Sequence, residues 1–285
     1  MNLLKKFIDL VLYGNFWIAL CALAMCLQTT FIINQQWTGW LEAFVFFSTL
    51  FLYAVHRIIG IAKLKENFEV DRYAVIARFK QHIWIYAIIG LLLSGICFFF
   101  LNWRIQLALI LPGIVSLAYV IPFLKGPKKR LRDLDDIKIF LVAIVWAWIT
   151  ALLPILAYAP ELPYLMIGLL MLERACFVFA ITLPFDIRDL KVDAFSAVRT
   201  IPARIGIRQT HLLAGLLLVM AGLFALGNYY AGLYRLVHLL AIALSLLSTY
   251  LLIYYSTPER HDYYYSGLMD GTMFLQAVLV ICFSG

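Results

Sequence analysis

Long apolar segments recur along the whole chain and constrain its fold more than any other feature. They cover residues 13–34, 41–60, 83–101, 105–123, 137–157, 163–185, 210–228, 233–255 and 265–283. Each of these roughly nine segments is long enough to cross about 30 Å of hydrocarbon as a helix. The pattern therefore predicts an all-α, polytopic transmembrane bundle of about nine helices.

The composition agrees with a membrane protein. Of the 285 residues, 64% are apolar and 14% are charged, and the mean hydropathy is +0.92. This leaves too little polar surface for a soluble globule of that size. One compact bundle, a single domain over residues 1–285, is the expected organisation. The five cysteines lie scattered in apolar segments without CxxC spacing, which favours small core side chains over disulfides or zinc ligands.

The basic residues are strongly biased toward alternate loops. About twenty of the 23 Lys and Arg residues precede the first segment or follow an even-numbered one, whereas the opposite loops carry Arg104 and Arg235. The positive-inside rule then places the N-terminus and the even-numbered loops in the cytoplasm. We expect an integral, multi-pass protein of the cell membrane with its active-site face in the cytoplasm. Nucleic acid is excluded as a partner, because no soluble basic domain exists to bind it.

Three carboxylates follow the sixth apolar segment, in the stretch DIRDLKVDAFSAVRTIPARIG at residues 186–206. On a helix, Asp186, Asp189 and Asp193 fall at i, i+3 and i+7 and project from one face. Grouped carboxylates suit Mg²⁺, which is commonly shared between one or two carboxylates and the phosphates of a substrate. The alternative is a solvated helix end. The basic residues that follow can contact phosphate oxygens, and they are Arg188, Lys191, Arg199, Arg204 and Arg208.

This stretch resembles the second aspartate-rich motif of the UbiA superfamily of intramembrane prenyltransferases. The family pattern is Asp-x-x-Asp-x-x-x-Asp followed by Thr-x-Pro and Gly. The matching positions here are Asp186, Asp189, Asp193, Thr200, Pro202 and Gly206. The resemblance implies a Mg²⁺-dependent prenyltransferase that moves a polyprenyl group from a prenyl diphosphate to an aromatic or lipid acceptor. It also implies that the three aspartates are the catalytic, metal-binding residues.

A second segment, AYVIPFLKGPKKRLRDLDDIKIF, is similar to the basic loop between the fourth and fifth helices of this family. The resemblance implies that Lys125, Lys128 and Arg130 help to hold the diphosphate, together with Arg188, Lys191 and Arg199. A plain positive-inside tether to lipid headgroups explains the same loop residues equally well.

The chain departs from the family pattern at the end of the second apolar segment. The first aspartate-rich motif is expected there, but the sequence reads LYAVHRIIGIAKLKENFEVD, with Tyr53, His56 and Arg57 in place of carboxylates. One interpretation is that His56 and Arg57 bind the diphosphate directly, as cations that substitute for a metal ion. The other is that they only end a helix, where basic groups favour the dipole.

A few ionisable residues lie deep in apolar segments, where a charge costs roughly 2.5–3.5 kcal/mol. Glu173 and Arg174 lie in the sixth segment and Asp270 in the ninth. Adjacent helical residues diverge by about 100°, so Glu173 and Arg174 are predicted to bond to other helices and not to each other. A structural role is one interpretation, and positioning a polar acceptor ring is the other.

Two alternatives to a prenyltransferase follow from the sequence. A non-catalytic relative that binds or carries an isoprenoid or lipid diphosphate is consistent with the degenerate first motif. An ordinary secondary transporter has little support, because the chain shows neither paired broken helices nor an internal repeat.

Overall fold

The computed structural model describes residues 3–33, 38–63, 80–122, 130–134, 137–195 and 198–284. Within these ranges the chain is helical and contains no strand. Its helices are α1 Leu3–Tyr13, α2 Phe16–Ile32, α3 Trp40–Lys63, α4 Lys80–Phe99, α5 Trp103–Val120, α6 Ile137–Ala147, α7 Leu153–Tyr158, α8 Tyr164–Arg188, α9 Leu190–Phe195, α10 Ile201–Ile205, α11 Ile207–Tyr230, α12 Leu236–Tyr254 and α13 Asp270–Ser284. A short 3₁₀ turn spans Leu131–Asp133, and π-helical turns span Trp148–Leu152 and Tyr264–Met269.

The membrane-spanning helices confirm the prediction of an all-α polytopic bundle. In the described part of the chain, 8 helical stretches are long and apolar enough to cross a bilayer, and the bent pair α1–α2 raises the number to 9. The sequence pattern predicted one helix over 13–34 and did not include α1. A 59° bend separates α1 from α2. The bend lies at Asn15, whose φ of 67° is left-handed, a conformation that Asn adopts more readily than most residues.

The bundle is built by helices that pack against both sequence neighbours and distant partners. α3 packs along α4, α8 lies between α6 and α11, and α2 contacts α13. The α3–α4 contact is close at Gly90, where an added Cβ would lie 2.9 Å from the carbonyl oxygen of Phe47. Small residues at such crossings let helix backbones approach, which is how helices associate in lipid.

Glu173 and Arg174 bond to different parts of the bundle, as the sequence predicts. Arg174 Nη1 donates to Met25 O at 3.0 Å and to Thr150 Oγ1 at 3.3 Å, which ties α8 to α2 and to the first π turn. Glu173 Oε2 accepts from the hydroxyl of Tyr234 at 2.7 Å. Both charged residues are 1% exposed. These bonds support a structural role, because they satisfy polar groups that would otherwise be buried unpaired.

Replacing Tyr234 with Phe tests this role. The change removes the bond to Glu173 Oε2, and Glu173 Oε1 already lacks a hydrogen-bond partner among the described residues. We expect the protein to lose about 1–3 kcal/mol of stability, measured as a lower apparent Tm in detergent. Tyr230→Phe is the matched control, because Tyr230 is 78% exposed. Equal Tm values for the two variants would contradict a structural role for the bond.

Candidate functional site

The predicted aspartate motif straddles the end of α8 and the short helix α9. Asp186 lies in the last turn of α8, Asp189 follows that helix, and Asp193 lies within α9. The backbone N–H of Asp189 donates to Phe185 O at 3.0 Å, and the N–H of Asp193 donates to Asp189 O at 2.8 Å. The chain therefore keeps helix-like spacing across the break, and this brings Asp186 and Asp193 to one cation.

That cation is Lys138, near the start of α6. Its Nζ lies 2.8 Å from Asp186 Oδ1 and 2.9 Å from Asp193 Oδ2. All three residues are at most 9% exposed. Water and salt therefore screen the attraction between the ammonium group and the two carboxylates only weakly. From the sequence alone, Lys138 is one of several basic residues that follow the fourth apolar segment, and no ion pair is predicted for it. The available signal was its position, as a lone charge at the head of the apolar run IKIFLVAIVWA.

The remaining aspartate, Asp189, pairs with its neighbour Arg188. Arg188 Nε donates to Asp189 Oδ1 at 2.8 Å and Nη2 donates to Asp189 Oδ2 at 3.0 Å, which is the bidentate fork geometry. Arg188 Nη1 also donates to Asp262 Oδ1 at 2.8 Å, so the guanidinium links the motif to the segment before the last span. The predicted contact between Arg188 and a diphosphate stays a prediction.

The two residues in place of the first motif point in different directions. Arg132 Nη1 contacts both ring nitrogens of His56, and its guanidinium lies 6.0 Å from the ring centre of Tyr119. The His56 and Tyr119 rings stack at 6.2 Å. Arg57 instead donates from Nη2 to Leu12 O at 3.1 Å. His56 thus lines the cavity and Arg57 contacts α1, and the diphosphate contact predicted for each stays a prediction.

Arg57 belongs to a polar layer that joins α1 to the rest of the bundle. Its guanidinium lies 5.4 Å from the ring centre of Tyr13. In the same layer, the hydroxyl of Tyr263 donates to Asp9 Oδ1. Burial and this hydrogen bond raise the pKa of Tyr263 to about 12, so its hydroxyl remains a donor at physiological pH.

The other predicted diphosphate ligands lie at several places. Arg130 is 7% exposed and comes directly before the 3₁₀ turn. Lys191 on α9 and Arg199 before α10 are exposed. Lys125 and Lys128 lie outside the described residues. The contribution of each of these residues to substrate binding stays a prediction.

The Thr-x-Pro and Gly part of the motif shapes the backbone. Thr200 precedes α10, Pro202 lies in its first turn, and Gly206 separates α10 from α11. Gly206 has φ 80° and ψ 163°, a region that residues with a Cβ essentially avoid. The glycine is therefore required for the turn that directs the chain from the aspartate motif into the next span.

An apolar cavity of about 360 Å³ lies among α3, α4, α5 and α6. Its polar lining groups include Tyr53 and His56 on α3 and Tyr119 on α5. On α6 the lining begins at Leu141 and Val142, three and four residues after Lys138, so Lys138 continues the same helix face by one turn.

Charged side chains lie close to one end of this cavity. His56 and Tyr119 lie near the ends of α3 and α5, where Arg132 contacts both rings. Lys138 lies at the start of α6, next to the same end. A wider groove of about 560 Å³ runs along α1, and none of the predicted site residues lines it. The 360 Å³ cavity, unlike this groove, is lined by predicted site residues and combines an apolar body with a charged end.

The aspartates as packed here do not fit a magnesium site. Among the described residues, no group of three or more His, Cys, Asp or Glu side chains converges on one point. Asp186 and Asp193 each give an oxygen to Lys138, and both oxygens of Asp189 are bonded to Arg188. Asp186 Oδ2 and Thr200 Oγ1 are buried motif oxygens without a hydrogen-bond partner in the described part of the chain.

Replacing Gly206 with Ala tests the backbone role of the motif. A Cβ at φ 80° is strained whatever the space around it, and we expect a loss of about 1–3 kcal/mol in stability. The matched control is Gly168→Ala in the helical interior of α8, where nothing lies within 4 Å of an added Cβ. The Tm of Gly168→Ala should equal or exceed that of the wild type. A Gly206→Ala protein as stable as this control would show that the positive φ is not needed.

No protein-family model matches the sequence, and no curated protein matches it. Solved structures match over nearly the whole chain. A structure described as that of digeranylgeranylglyceryl phosphate synthase has a TM-score of 0.61 at 16% identity and covers 100% of this chain and 99% of its own. A UbiA homolog from Archaeoglobus fulgidus bound to DMAPP and Mg²⁺ gives 0.62 at 14% identity, with 96% and 99% coverage.

An apo UbiA homolog from Aeropyrum pernix K1 gives a TM-score of 0.67 at 14% identity, over 93% of this chain and 96% of that one. Identities this low establish a shared fold. The matches therefore confirm that the chain has the helical membrane fold of the UbiA superfamily, as the resemblance of its aspartate motif implied.

Proposed function

We propose that this UbiA-like chain binds a prenyl diphosphate at the charged end of its 360 Å³ cavity and transfers the prenyl group to a hydrophobic acceptor in the membrane. The observation that carries the proposal is an apolar cavity lined by His56, which Arg132 contacts, and continued on α6 by Lys138 one turn before Leu141. The cavity is within the range of small-ligand sites. Related structures bound to DMAPP and to GPP, each with Mg²⁺, support the substrate class.

The reaction proposed for this site is electrophilic alkylation. The bond between C1 of the prenyl group and the diphosphate oxygen breaks, and its electron pair leaves with the diphosphate. A nucleophilic atom of the acceptor then bonds to the allylic cation and loses a proton, which the released pyrophosphate accepts. The step needs stabilisation of the leaving anion and exclusion of water from the cation.

The described side chains supply both requirements. Lys138 and Arg132, at the charged end, stabilise negative charge that develops on the leaving diphosphate. The rings of Tyr53, Tyr119 and Trp146 line the cavity and offer π faces to an allylic cation. Asp186 and Asp193 act through Lys138, because they fix the direction of its ammonium group.

The sequence predicts that the reaction depends on Mg²⁺, and the related structures and the packing of this chain differ in the support they give. The Archaeoglobus homologs were solved with Mg²⁺ or with Cd²⁺, which supports the use of a divalent ion in the fold. The packing of the three aspartates against Lys138 and Arg188 gives it no support in this chain. In the proposed reaction, the leaving diphosphate is therefore stabilised by side chains and not by a metal ion.

Neutralising Asp186 tests the proposal. We expect purified protein in detergent to release pyrophosphate from geranylgeranyl diphosphate when a lipid extract supplies the acceptor. Asp186→Asn should lower that rate tenfold or more, about 1.4 kcal/mol in the barrier, because Lys138 loses a charged partner. The control is Glu161→Gln, a charge change at an exposed turn before α8. Equal rates for the two variants would contradict a role for the aspartate motif.

A second candidate is a non-catalytic carrier of a prenyl or lipid diphosphate. The absence of carboxylates at the end of α3 favours it, since the first family motif is missing there. The same assay separates the two functions. Saturable binding of geranylgeranyl diphosphate without pyrophosphate release, whatever acceptor is supplied, would favour the carrier.

We also propose that the charged end of the cavity faces the cytoplasm and that residues 1–285 form one domain in the cell membrane. The bias of the basic loops supports this orientation. With Cys282 replaced by Ser, a cysteine at Glu259 should be shielded from an impermeant thiol reagent in intact cells, and one at Glu161 should react. Both positions are exposed in the structure, so access depends on the side of the membrane. The reverse labelling would place the site outside.

A further inference from the structure

We infer that this chain holds the diphosphate with its own fixed cations, chiefly Lys138, and that binding requires no divalent metal. The inference rests on the proposed function and assigns the recognition chemistry of that site. Three observations carry it: the position of Lys138 between two carboxylates, the absence of carboxylates from Tyr53 to Lys63 at the end of α3, and the position of Arg132 on the α3 side of the cavity.

Lys138 takes the position that a metal ion would need. Its Nζ lies 2.8 Å and 2.9 Å from one oxygen of Asp186 and one of Asp193. Mg²⁺ requires near-octahedral oxygen ligands at about 2.0–2.1 Å. A metal ion on these two oxygens would lie against the ammonium group, and the two like charges would repel strongly in so buried a site. Metal binding would therefore require Lys138 to leave.

Among the described residues, the remaining carboxylates do not form a second metal site. Both oxygens of Asp189 are held by the guanidinium of Arg188. On α3, the positions at the cavity carry Tyr53 and His56, which are neutral or cationic groups. Asp186 and Asp193 each bind Lys138 through one oxygen, so a Mg²⁺ ion on their other oxygens would still lie beside the ammonium group.

Lys138 can bind a phosphate while it stays paired. An ammonium group has three N–H donors, and the two carboxylates accept two of them. The third can be donated to a phosphate oxygen. The two carboxylates hold the ammonium group in one direction, so little entropy is lost when it binds a diphosphate.

Arg132 supplies a second fixed cation across the same end of the cavity. Its Nη1 is bonded to His56 and its guanidinium lies over Tyr119, so its position is set by α3 and α5. A guanidinium has five N–H donors on three nitrogens, and the His56 contact uses one nitrogen. A diphosphate between Arg132 and Lys138 would contact a cation on each side. The two side chains would then take the place of bound metal ions.

Binding to the metal-depleted protein tests the inference directly. Titration calorimetry would compare geranylgeranyl diphosphate binding to the wild-type protein in detergent with EDTA and with saturating Mg²⁺. We expect Kd values that agree within about threefold. A Kd at least tenfold higher in EDTA, about 1.4 kcal/mol, would overturn the inference and leave the proposed function intact. The absence of binding under both conditions would instead contradict the proposed function.

Replacing Lys138 separates the two accounts by the sign of its effect. If Lys138 is a ligand, Lys138→Met should weaken binding tenfold or more in both buffers. If Lys138 only blocks a metal site, the same change frees Asp186 and Asp193, and binding should become tighter and dependent on Mg²⁺. Lys6→Met, at an exposed position on α1, is the control and should bind within threefold of the wild type. If Lys138→Met fails to fold, the wild-type comparison in EDTA decides alone.

Discussion

The bond between Lys138 and the pair Asp186 and Asp193 is the interaction on which the site depends. It joins the start of α6 to the end of α8 and to α9, and it connects residues 55 positions apart in the sequence. Because all three groups are nearly buried, removing Lys138 would leave two carboxylates without their shared cation. The triad therefore fixes both the packing of these helices and the charge at the end of the cavity.

The spans and their number follow from the sequence because they depend on length and apolarity alone. The exception is α1, where charged residues interrupt the apolar pattern: Lys5 and Lys6 are exposed, and Asp9 is buried against Tyr263. A whole-segment hydropathy rule does not detect such an amphipathic helix. The bend at Asn15 likewise depends on a left-handed residue that no periodicity indicates.

The aspartate motif was located from its sequence, but its partners were not. Each loop contains several cations, and their spacing does not determine which one reaches a carboxylate. Lys138 meets Asp186 because α6 packs on α8, and Arg132 meets His56 because α3, α5 and the 3₁₀ turn converge. These are long-range consequences of the bundle. Arg174 and Glu173 were easier to interpret, since a charge deep in an apolar helix needs a polar partner wherever that partner lies.

The central claim is that the diphosphate lies against Lys138 and the prenyl chain lies in the cavity among α3, α4, α5 and α6. An experimental structure with a non-hydrolysable thio-diphosphate analogue of geranylgeranyl diphosphate tests this most directly. We predict phosphate oxygens within hydrogen-bond distance of Lys138 Nζ and the hydrocarbon chain beside Tyr53 and Trp146. A diphosphate held away from Lys138, or a prenyl chain in the groove along α1, would contradict the account.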